Sequence, residues 1–266
     1  MPINAYREDL AYIHHAGHGA LADAAARRLV AELRGLGFRA GTVVDLGCGS
    51  GILAYVVSQA GYRVIGMDLS DAMVAIARER SPESEFHVRS YVSADLPTCI
   101  AVTAIGEVLN YAFDERSGMQ AREDLFRRAY QALAGGGLMM FDMANSDRAT
   151  PGNHRTFVEG SDWAVLVESE LDETTHELTR RITSFRQVGS LYRRDTETHR
   201  LAVVDPNDIL QSLRSVGFQA QRLEGYGGEP FPIGLAGFLA RKPAREAPDE
   251  PLERTPERRG RSTAGR

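Results

Sequence analysis

Apolar residues recur with two alternating spacings along the first half of the chain. Residues 21–36 carry them every three or four positions, which predicts an amphipathic helix. Residues 42–46 form a short β-branched run typical of a buried strand, and residues 52–59 return to the helical spacing after a glycine-rich turn. The order then repeats, and the remaining predicted elements are strands at 62–67, 86–88, 100–105 and 138–141 and helices at 72–79 and 118–133.

Strands that alternate with helices indicate an α/β fold, in which a doubly wound, mostly parallel sheet is covered by helices on both faces. The three glycines at 135–137 are expected to end the helix that precedes the fifth strand. Ligands of such sheets bind at the carboxyl ends of the strands, so the loops after the strands are the places to search for a site.

The pattern changes in the second half, where apolar and polar residues alternate from 156 to 204. This alternation predicts an inserted antiparallel β meander of three strands, with Trp163 and Val165 on the same face. The rest of the chain is read as a helix at 206–216 capped by Asp205, closing strands at 220–223 and 234–239, and a charged, proline-containing tail from 243 that is expected to be disordered.

Composition narrows the functional classes. The chain has 31 basic and 36 acidic residues, a net charge of −5, which argues against a nucleic-acid-binding surface over the whole protein. Two cysteines, Cys48 and Cys99, are too few for a disulfide framework, and a reducing cytoplasm is the simplest compartment. We expect neither a signal peptide nor a membrane span, because no apolar run approaches about 18 residues.

The glycine-rich turn after the first strand is the strongest chemical signal. Gly47, Gly49 and Gly51 alternate between a buried strand and a helix, where glycine allows left-handed backbone and close approach of a ligand. The spacing differs from the G-x-G-x-x-G of dinucleotide sites. Asp45 precedes the turn and favours a positively charged ligand over a pyrophosphate. The alternative is a tight turn that binds nothing.

Asp68 ends the second strand roughly 20 residues after the turn, where a carboxylate can accept both hydroxyls of a ribose. The alternative is that Asp68 caps the following helix, but Ser70 and Asp71 are better placed for that role. A single nucleoside ligand explains both the turn and the acidic residue.

Residues 43–51 resemble motif I of the class I S-adenosylmethionine-dependent methyltransferases, and residues 67–70 with Met73 resemble their second motif. The resemblance covers about 41–145 and implies a seven-stranded sheet of that type with S-adenosyl-L-methionine as cofactor. It implies that Asp68 binds the ribose while Leu69 and Met73 pack on the adenine. The full set of cofactor-binding candidates is Asp45, Gly47, Cys48, Gly49, Gly51, Asp68, Leu69, Met73, Ser90, Tyr91 and Gly106.

One position departs from the family. Many members carry an acidic residue after the third strand that accepts from the adenine amino group, but this chain has Arg89, Ser90 and Tyr91 there. The Ser90 hydroxyl, or the backbone at Ser90 and Tyr91, is the expected substitute.

Methyl transfer is an in-line displacement that needs alignment and exclusion of water, and a base only when the nucleophile starts protonated. The segment after the fourth strand carries Glu107 as a candidate base, or as a contact of the donor amino group, or as a cap of the next turn. Asn110 and Tyr111 are candidate acceptor contacts. His199 in the meander is a second candidate base or a packed histidine. Tyr226, expected in a loop near the mouth of the pocket, is a third candidate catalytic residue.

The N-terminal segment is expected to close over the donor, with Tyr12 and His14 lining the acceptor site. His14 and His18 have the spacing of two ligands on one helix face, but Gly17 and Gly19 argue against a helix there, and no metal site is predicted.

The sequence therefore predicts a cytoplasmic enzyme that methylates an oxygen or nitrogen of a small-molecule acceptor, as a monomer or homodimer and without nucleic acid or membrane partners. The alternatives are an NAD-type oxidoreductase, which the glycine spacing disfavours, and a non-catalytic S-adenosylmethionine-binding subunit. The predicted parts are an N-terminal lid and helix (1–40), the cofactor-binding core (41–150), the antiparallel insertion (151–204), the C-terminal part of the core (205–242) and the tail (243–266).

Overall fold

The computed structural model describes residues 5–148, 154–228 and 230–244 and contains two sheets. The helices are α1 (Glu8–Gly17), α2 (Ala20–Gly35), α3 (Ile52–Gln59), α4 (Asp71–Arg80), α5 (Met119–Ala132) and α6 (Pro206–Val216). The strands are β1 (Thr42–Leu46), β2 (Arg63–Asp68), β3 (Glu85–Val88), β4 (Cys99–Ala104), β5 (Leu133–Ala144), β6 (His154–Glu159), β7 (Trp163–Asp172), β8 (Glu177–Val188), β9 (Leu191–Ala202), β10 (Gln219–Leu223) and β11 (Leu235–Arg241).

The main sheet has seven strands in the order β10-β11-β5-β4-β1-β2-β3 and is parallel except for β11, which runs antiparallel to both of its neighbours. This confirms the predicted doubly wound fold. Neighbouring residues of β1 face opposite sides: Val43 packs with α2, α3 and α4, whereas Val44 packs with α5 and α6. The carboxyl ends of β1, β2 and β4 therefore meet at one edge, which carries the glycine turn and Asp68.

A second, antiparallel sheet in the order β6-β7-β8-β9 follows β5, and we call it the lid sheet. The predicted meander is confirmed, with Trp163 and Val165 buried on its inner face. The lid sheet has one strand more than predicted, because every side chain of β6 is exposed and leaves no apolar alternation to detect.

Two expectations about glycines were wrong. Gly135–Gly137 do not form a stop after α5, since β5 already begins at Leu133 and the glycines lie within it, next to a register shift against β4. Gly17 does not prevent a helix, since it is the last residue of α1. A Cβ at Gly17 would lie 2.6 Å from the Trp163 ring, so this glycine serves close packing on the lid sheet.

The predicted disordered tail lies largely at 245–266, outside the described residues. Within the part of the chain that the structure describes, no helix combines the length and apolar character needed to cross a bilayer.

Candidate active site

All three glycines of the turn have left-handed backbone, with φ of 63° at Gly47, 52° at Gly49 and 74° at Gly51. A Cβ at Gly47 would lie 2.4 Å from the Val108 side chain, and one at Gly51 would lie 3.0 Å from Ala77. Gly49 has nothing within 4 Å of its Cβ position. The outer two glycines thus permit close packing, and the middle one borders open space at the end of β1.

Two carboxylates lie beside this turn. Asp68 accepts from the backbone N–H of Gly49 and of Ser70, each at 2.9 Å. Asp45 accepts from the Thr103 hydroxyl at 2.7 Å. The pKa of Asp45 is raised to about 7, because burial and the nearby charge of Asp68 together outweigh the lowering effect of the Thr103 hydrogen bond. Burial also raises the pKa of Asp68. The Ser70 hydroxyl, not Asp68, accepts from the Met73 N–H and caps α4.

The remaining candidates for the cofactor differ in what they present to this edge. Gly106 has φ of 92° and open space at its Cβ position, as Gly49 does. The side chains of Cys48 and Met73 are buried, and burial raises the pKa of the Cys48 thiol well above its usual value. Leu69 is half-buried in the loop between β2 and α4.

Ser90 and Tyr91, which follow β3 where many family members carry an acidic residue, both make contacts within the protein. The Ser90 hydroxyl accepts from the Val92 N–H at 3.2 Å and caps a short turn. Tyr91 packs in the hydrophobic core, and its carbonyl accepts from Arg128 at 2.9 Å. The Tyr91 side chain is therefore committed to the core, whereas the Ser90 hydroxyl keeps a second lone pair and stays, with the backbone at Ser90 and Tyr91, the predicted substitute for the acidic residue.

Glu107 does not have the surroundings of a general base. Its carboxylate accepts from Arg148 Nε at 2.6 Å and from Arg180 Nη1 at 2.6 Å, so both oxygens are ion-paired. Burial raises the pKa of Glu107, but the charges and hydrogen bonds of Arg180 and Arg148 outweigh it and leave the pKa lowered. The carboxylate is therefore held ionised between two guanidinium groups.

Tyr226 also lies elsewhere than expected. Its side chain is buried and donates to Asp142 Oδ2 at 2.8 Å. Asp142 accepts in addition from the N–H of Gly106 at 3.0 Å and of Glu107 at 2.7 Å. Through Asp142, Tyr226 thus helps to position the loop after β4, and its hydroxyl is occupied by this hydrogen bond. Asp142 itself was missed by sequence reasoning, although its place near the end of a buried strand was the available signal.

The Asn110 side chain hydrogen-bonds to main-chain groups of the protein and is not an acceptor contact. Its Nδ2 donates to the carbonyls of Ala144 at 3.0 Å and Ala202 at 2.7 Å, and its Oδ1 accepts from the Ala144 N–H at 2.9 Å. The expected contact is therefore corrected, because the side chain is 1% exposed and its hydrogen bonds go to backbone.

His199 is fully buried on the inner face of β9, inside a group of rings that we call the aromatic chamber. The ring centres of Tyr6, Tyr111 and Phe113 lie 4.9, 5.9 and 5.0 Å from that of His199. Its Nε2 lies 2.8 Å from Glu197 Oε2, and Nδ1 has no hydrogen-bond partner among the described residues. Because a carboxylate accepts hydrogen bonds, we assign the ring hydrogen to Nε2, which leaves the lone pair on Nδ1.

Residues 5–17, which we call the N-terminal strap, close this chamber. The Tyr6 and Tyr111 hydroxyls lie 2.9 Å apart, and the Ser70 hydroxyl donates to the Tyr6 carbonyl at 2.7 Å. His14 meets the Tyr6 ring edge-on at 5.4 Å. Burial lowers the pKa of His14 to about 4, helped by neighbouring histidines, so its ring is neutral.

Tyr12 contacts the far end of the lid sheet. Its hydroxyl donates to Asp162 at 2.7 Å, and the Arg186 guanidinium lies 3.7 Å from the centre of its ring. Tyr12 therefore fastens the strap, in place of the acceptor contact expected for it. Within the described residues no group of three or more side chains could hold a metal ion.

Comparisons with known proteins agree with this arrangement. A family model described as a methyltransferase domain matches residues 14–223. A methyltransferase of Geobacillus sp. (strain WCH70) is 27% identical over 187 residues, 66% of this chain and 73% of the relative. Trans-aconitate 2-methyltransferase of Paracidovorax citrulli (strain AAC00-1) is 39% identical over 121 residues, 44% of this chain and 43% of that enzyme.

Solved structures share the fold. An S-adenosylmethionine-dependent methyltransferase from Clostridium acetobutylicum ATCC 824 superposes with a TM-score of 0.73 at 15% identity, covering 88% of this chain and 96% of that one. Because the methyltransferase-domain model spans most of the chain, the protein belongs to that family and is a class I S-adenosylmethionine-dependent methyltransferase.

Proposed function

We propose that this enzyme methylates a hydroxyl, or a nitrogen that starts protonated, of a small-molecule acceptor bound between the lid sheet and the carboxyl edge of the main sheet. The observation that carries the proposal is the buried His199, whose Nε2 is held by Glu197 while Nδ1 has a free lone pair inside the aromatic chamber. An imidazole nitrogen with a free lone pair in this position is suited to accept a proton.

The residues at the carboxyl edge fit the donor. Gly49 and Gly106 each have nothing within 4 Å of the Cβ position, and Asp68 lies at the end of β2 where it can accept from ribose hydroxyls. Burial raises the pKa of Asp45 and of Asp68, the charge of Asp68 adds to the rise at Asp45, and a cationic ligand would favour the ionised form of both. When bound, S-adenosylmethionine supplies a methyl group on a positively charged sulfur.

The chain itself aligns the acceptor, excludes water and moves one proton. The donor would supply the methyl group to the acceptor oxygen or nitrogen and keep the electron pair of its carbon–sulfur bond, so that the acceptor gives up one proton. The acceptor proton passes to His199 Nδ1. The rings of Tyr6, Tyr111 and Phe113 keep water away from this transfer.

A small acceptor is supported by the enclosure and by one relative. The strap and the lid sheet close over His199, which is 0% exposed. The Paracidovorax citrulli relative is named for methylation of trans-aconitate, a small molecule. Which acceptor this enzyme uses is the subject of the experiment.

The proposal is tested first by calorimetric titration with S-adenosylhomocysteine, with NAD in a parallel run. We expect one-site binding of S-adenosylhomocysteine alone, and strong weakening in Asp68→Ala. Normal binding by Asp68→Ala would overturn the ribose assignment, and binding of NAD alone would overturn the donor.

The base is tested by an acceptor screen with labelled donor, followed by His199→Gln. We expect kcat to fall about 10²–10⁴-fold, the usual contribution of a general base, with donor affinity unchanged. His87→Gln is the matched control, because His87 on β3 also pairs with a glutamate two residues away, Glu85 at 2.8 Å, but is exposed. Full activity of His199→Gln would remove His199 from the mechanism.

A further inference from the structure

Glu197 joins the strap to His199. Its Oε2 accepts from the Tyr6 N–H at 2.6 Å and from His199 Nε2 at 2.8 Å, and its Oε1 accepts from the Arg7 N–H at 2.8 Å. The Glu197 side chain is 1% exposed. Two of its donors are therefore backbone groups of the strap, and the third is the proposed base.

This arrangement makes the tautomer of His199 depend on the strap. A buried carboxylate is costly unless donors surround it. With the strap closed, the Tyr6 and Arg7 amides hold Glu197 in place, the Arg7 guanidinium lies 3.9 Å from Oε1, and Oε2 accepts from His199 Nε2. With the strap open, these contacts of the carboxylate are lost, and it no longer holds the ring hydrogen on Nε2. Only the tautomer with its hydrogen on Nε2 has the lone pair on Nδ1.

The other groups that face His199 do not compete for its Nε2. Arg180 lies directly opposite His199 in the register between β8 and β9, but its guanidinium is ion-paired with Glu107 at 2.6 Å. From the strap and from the loop after β4, the Tyr6 and Tyr111 hydroxyls lie 2.9 Å from each other, and His14 is neutral because burial lowers its pKa to about 4. Among the described residues, Glu197 is the carboxylate that hydrogen-bonds His199.

The strap has reason to open and to close. Its rings enclose His199, so an acceptor enters only when Tyr6 moves away. Tyr6 also has φ of 48°, a conformation that non-glycine residues adopt rarely, and it is held by surrounding contacts. These contacts include the Ser70 hydroxyl, two residues from Asp68, which connects the strap to the donor edge.

We propose that Glu197 is a positioning residue that couples closure of the N-terminal strap to the proton-accepting state of His199. The proposal rests on the proposed function, in which His199 is the base. In this scheme the enzyme acquires its base only after the chamber has closed over the acceptor, so that proton transfer and exclusion of water occur together.

The test compares Glu197→Gln with Glu85→Gln, which removes the exposed carboxylate of the control pair on β3. Because an amide nitrogen would face one of the strap amides, we expect exchange of the Tyr6 and Arg7 amide hydrogens to accelerate about tenfold, the effect of about one lost hydrogen bond. Nitrogen NMR of the His199 ring should change from one tautomer to a mixture. Glu85→Gln should leave both readouts as in the wild type.

Activity adds a third readout. We expect Glu197→Gln to lower kcat with a displaced pH profile of kcat/KM, whereas loss of packing alone would lower the amount of folded enzyme and leave the profile in place. Should Glu197→Gln fold poorly, Tyr12→Phe loosens the strap at its bond to Asp162 without touching the Glu197 carboxylate, and it should accelerate the same amide exchange and shift the same ring signals.

Unchanged exchange and an unchanged tautomer in Glu197→Gln would overturn the coupling. Failure of the proposed function would look different: His199→Gln would keep full activity, while the exchange and NMR readouts of Glu197→Gln would still report whether the strap and the ring are linked.

Discussion

Buried acidic side chains at the active edge carry different charges because their partners differ. Glu107 lies between two guanidinium groups, which keep its pKa below the usual value. Asp45 has one hydroxyl donor and a second carboxylate nearby, and its pKa rises to about 7. Asp142 receives two backbone N–H groups and a tyrosine hydroxyl, yet burial raises its pKa to about 6. The hydrogen-bonding and charged partners, and not the type of residue, therefore decide which carboxylate can take a cationic ligand, as Asp45 can, and which is already paired with cations, as Glu107 is.

The raised pKa of Asp45 makes stability depend on pH. Between about pH 4 and pH 7 the folded protein retains a proton that the unfolded chain has released, so the free energy of unfolding falls as pH rises through this window. Asp45→Asn removes this dependence, worth up to about 4 kcal/mol at 1.36 kcal/mol for each pH unit. Urea unfolding of the wild type and of Asp45→Asn at about pH 4.5 and about pH 8, on either side of about pH 7, measures the free energy of unfolding of each. An equal fall in the free energy of unfolding of the two proteins between these pH values would contradict the explanation.

Asn110 should matter for stability and not for acceptor choice. Asn110→Ala leaves buried backbone groups of Ala144 and Ala202 without their partners, which is expected to cost about 3 kcal/mol. Asn207→Ala on the exposed side of α6 is the control and should change stability by no more than about 0.5 kcal/mol. Thermal unfolding gives both values. A stable Asn110→Ala enzyme with altered acceptor preference would restore the original assignment.

Residues whose role is local could be predicted, and residues whose role depends on distant contacts could not. The turn glycines were identifiable because their left-handed backbone is a property of the residue itself. Glu197 carries no local signal, since the Tyr6 and Arg7 amides it binds are 191 and 190 residues away. Glu107 was assigned to catalysis because nothing in its neighbourhood along the chain reveals the two arginines.

The same difference between local signals and distant contacts decides which helices and strands could be predicted. The helix α6 was predicted with its observed ends, since Asp205 caps its start, Pro206 occupies its first turn and Gly217 ends it in left-handed backbone. The strand β6 was not predicted, because its pairing with β7 and not its own pattern defines it. The helix α1 was not predicted because glycine argues against a helix, and its last residue is Gly17. This position is glycine because a Cβ would collide with the Trp163 ring.

Gly217 and Gly35 provide a matched test of why helices end. Gly217 has φ of 110°, and its Cβ would lie 3.1 Å from the Tyr130 hydroxyl, so Gly217→Ala is expected to cost about 1–2 kcal/mol. Gly35, the last residue of α2, has ordinary backbone and nothing within 4 Å, so Gly35→Ala should stabilise the protein by roughly 0.5–1 kcal/mol. Denaturant midpoints should move in opposite directions, and movement in the same direction would contradict the explanation.

At the scale of the whole molecule, the strap and the lid sheet form a cluster separate from the two layers of the main sheet. Leu10, Ile13, Trp163, Val165 and Ile182 pack together in this cluster, apart from the larger clusters on either face of the main sheet. Ion pairs between the strap and the strands, such as Asp9 with Arg186 at 3.1 Å, support it. A small cluster of this kind is expected to open at lower free energy than the main core.

Trp163 reports on this cluster alone, since it is the single tryptophan of the chain. We expect its fluorescence transition in urea to occur at a lower concentration than the transition in far-ultraviolet circular dichroism, which follows the helices of the main fold. High salt should widen the gap, because it screens the partly exposed ion pairs of the strap. Coincident transitions at all salt concentrations would show that lid and core unfold as one unit.

The position of Asn110 has a consequence for how such enzymes diversify. Because its side chain holds Ala144 and Ala202 together, and the Val204 N–H donates to the Ala144 carbonyl at 3.2 Å, the inserted sheet departs from and rejoins the main fold at a single point. The lid is therefore joined to the donor half through one short junction. A lid from another member, joined at these two residues, would bring its own substrate preference and its own base in place of His199, while the donor half is inherited intact, so that acceptor chemistry and specificity are exchanged together.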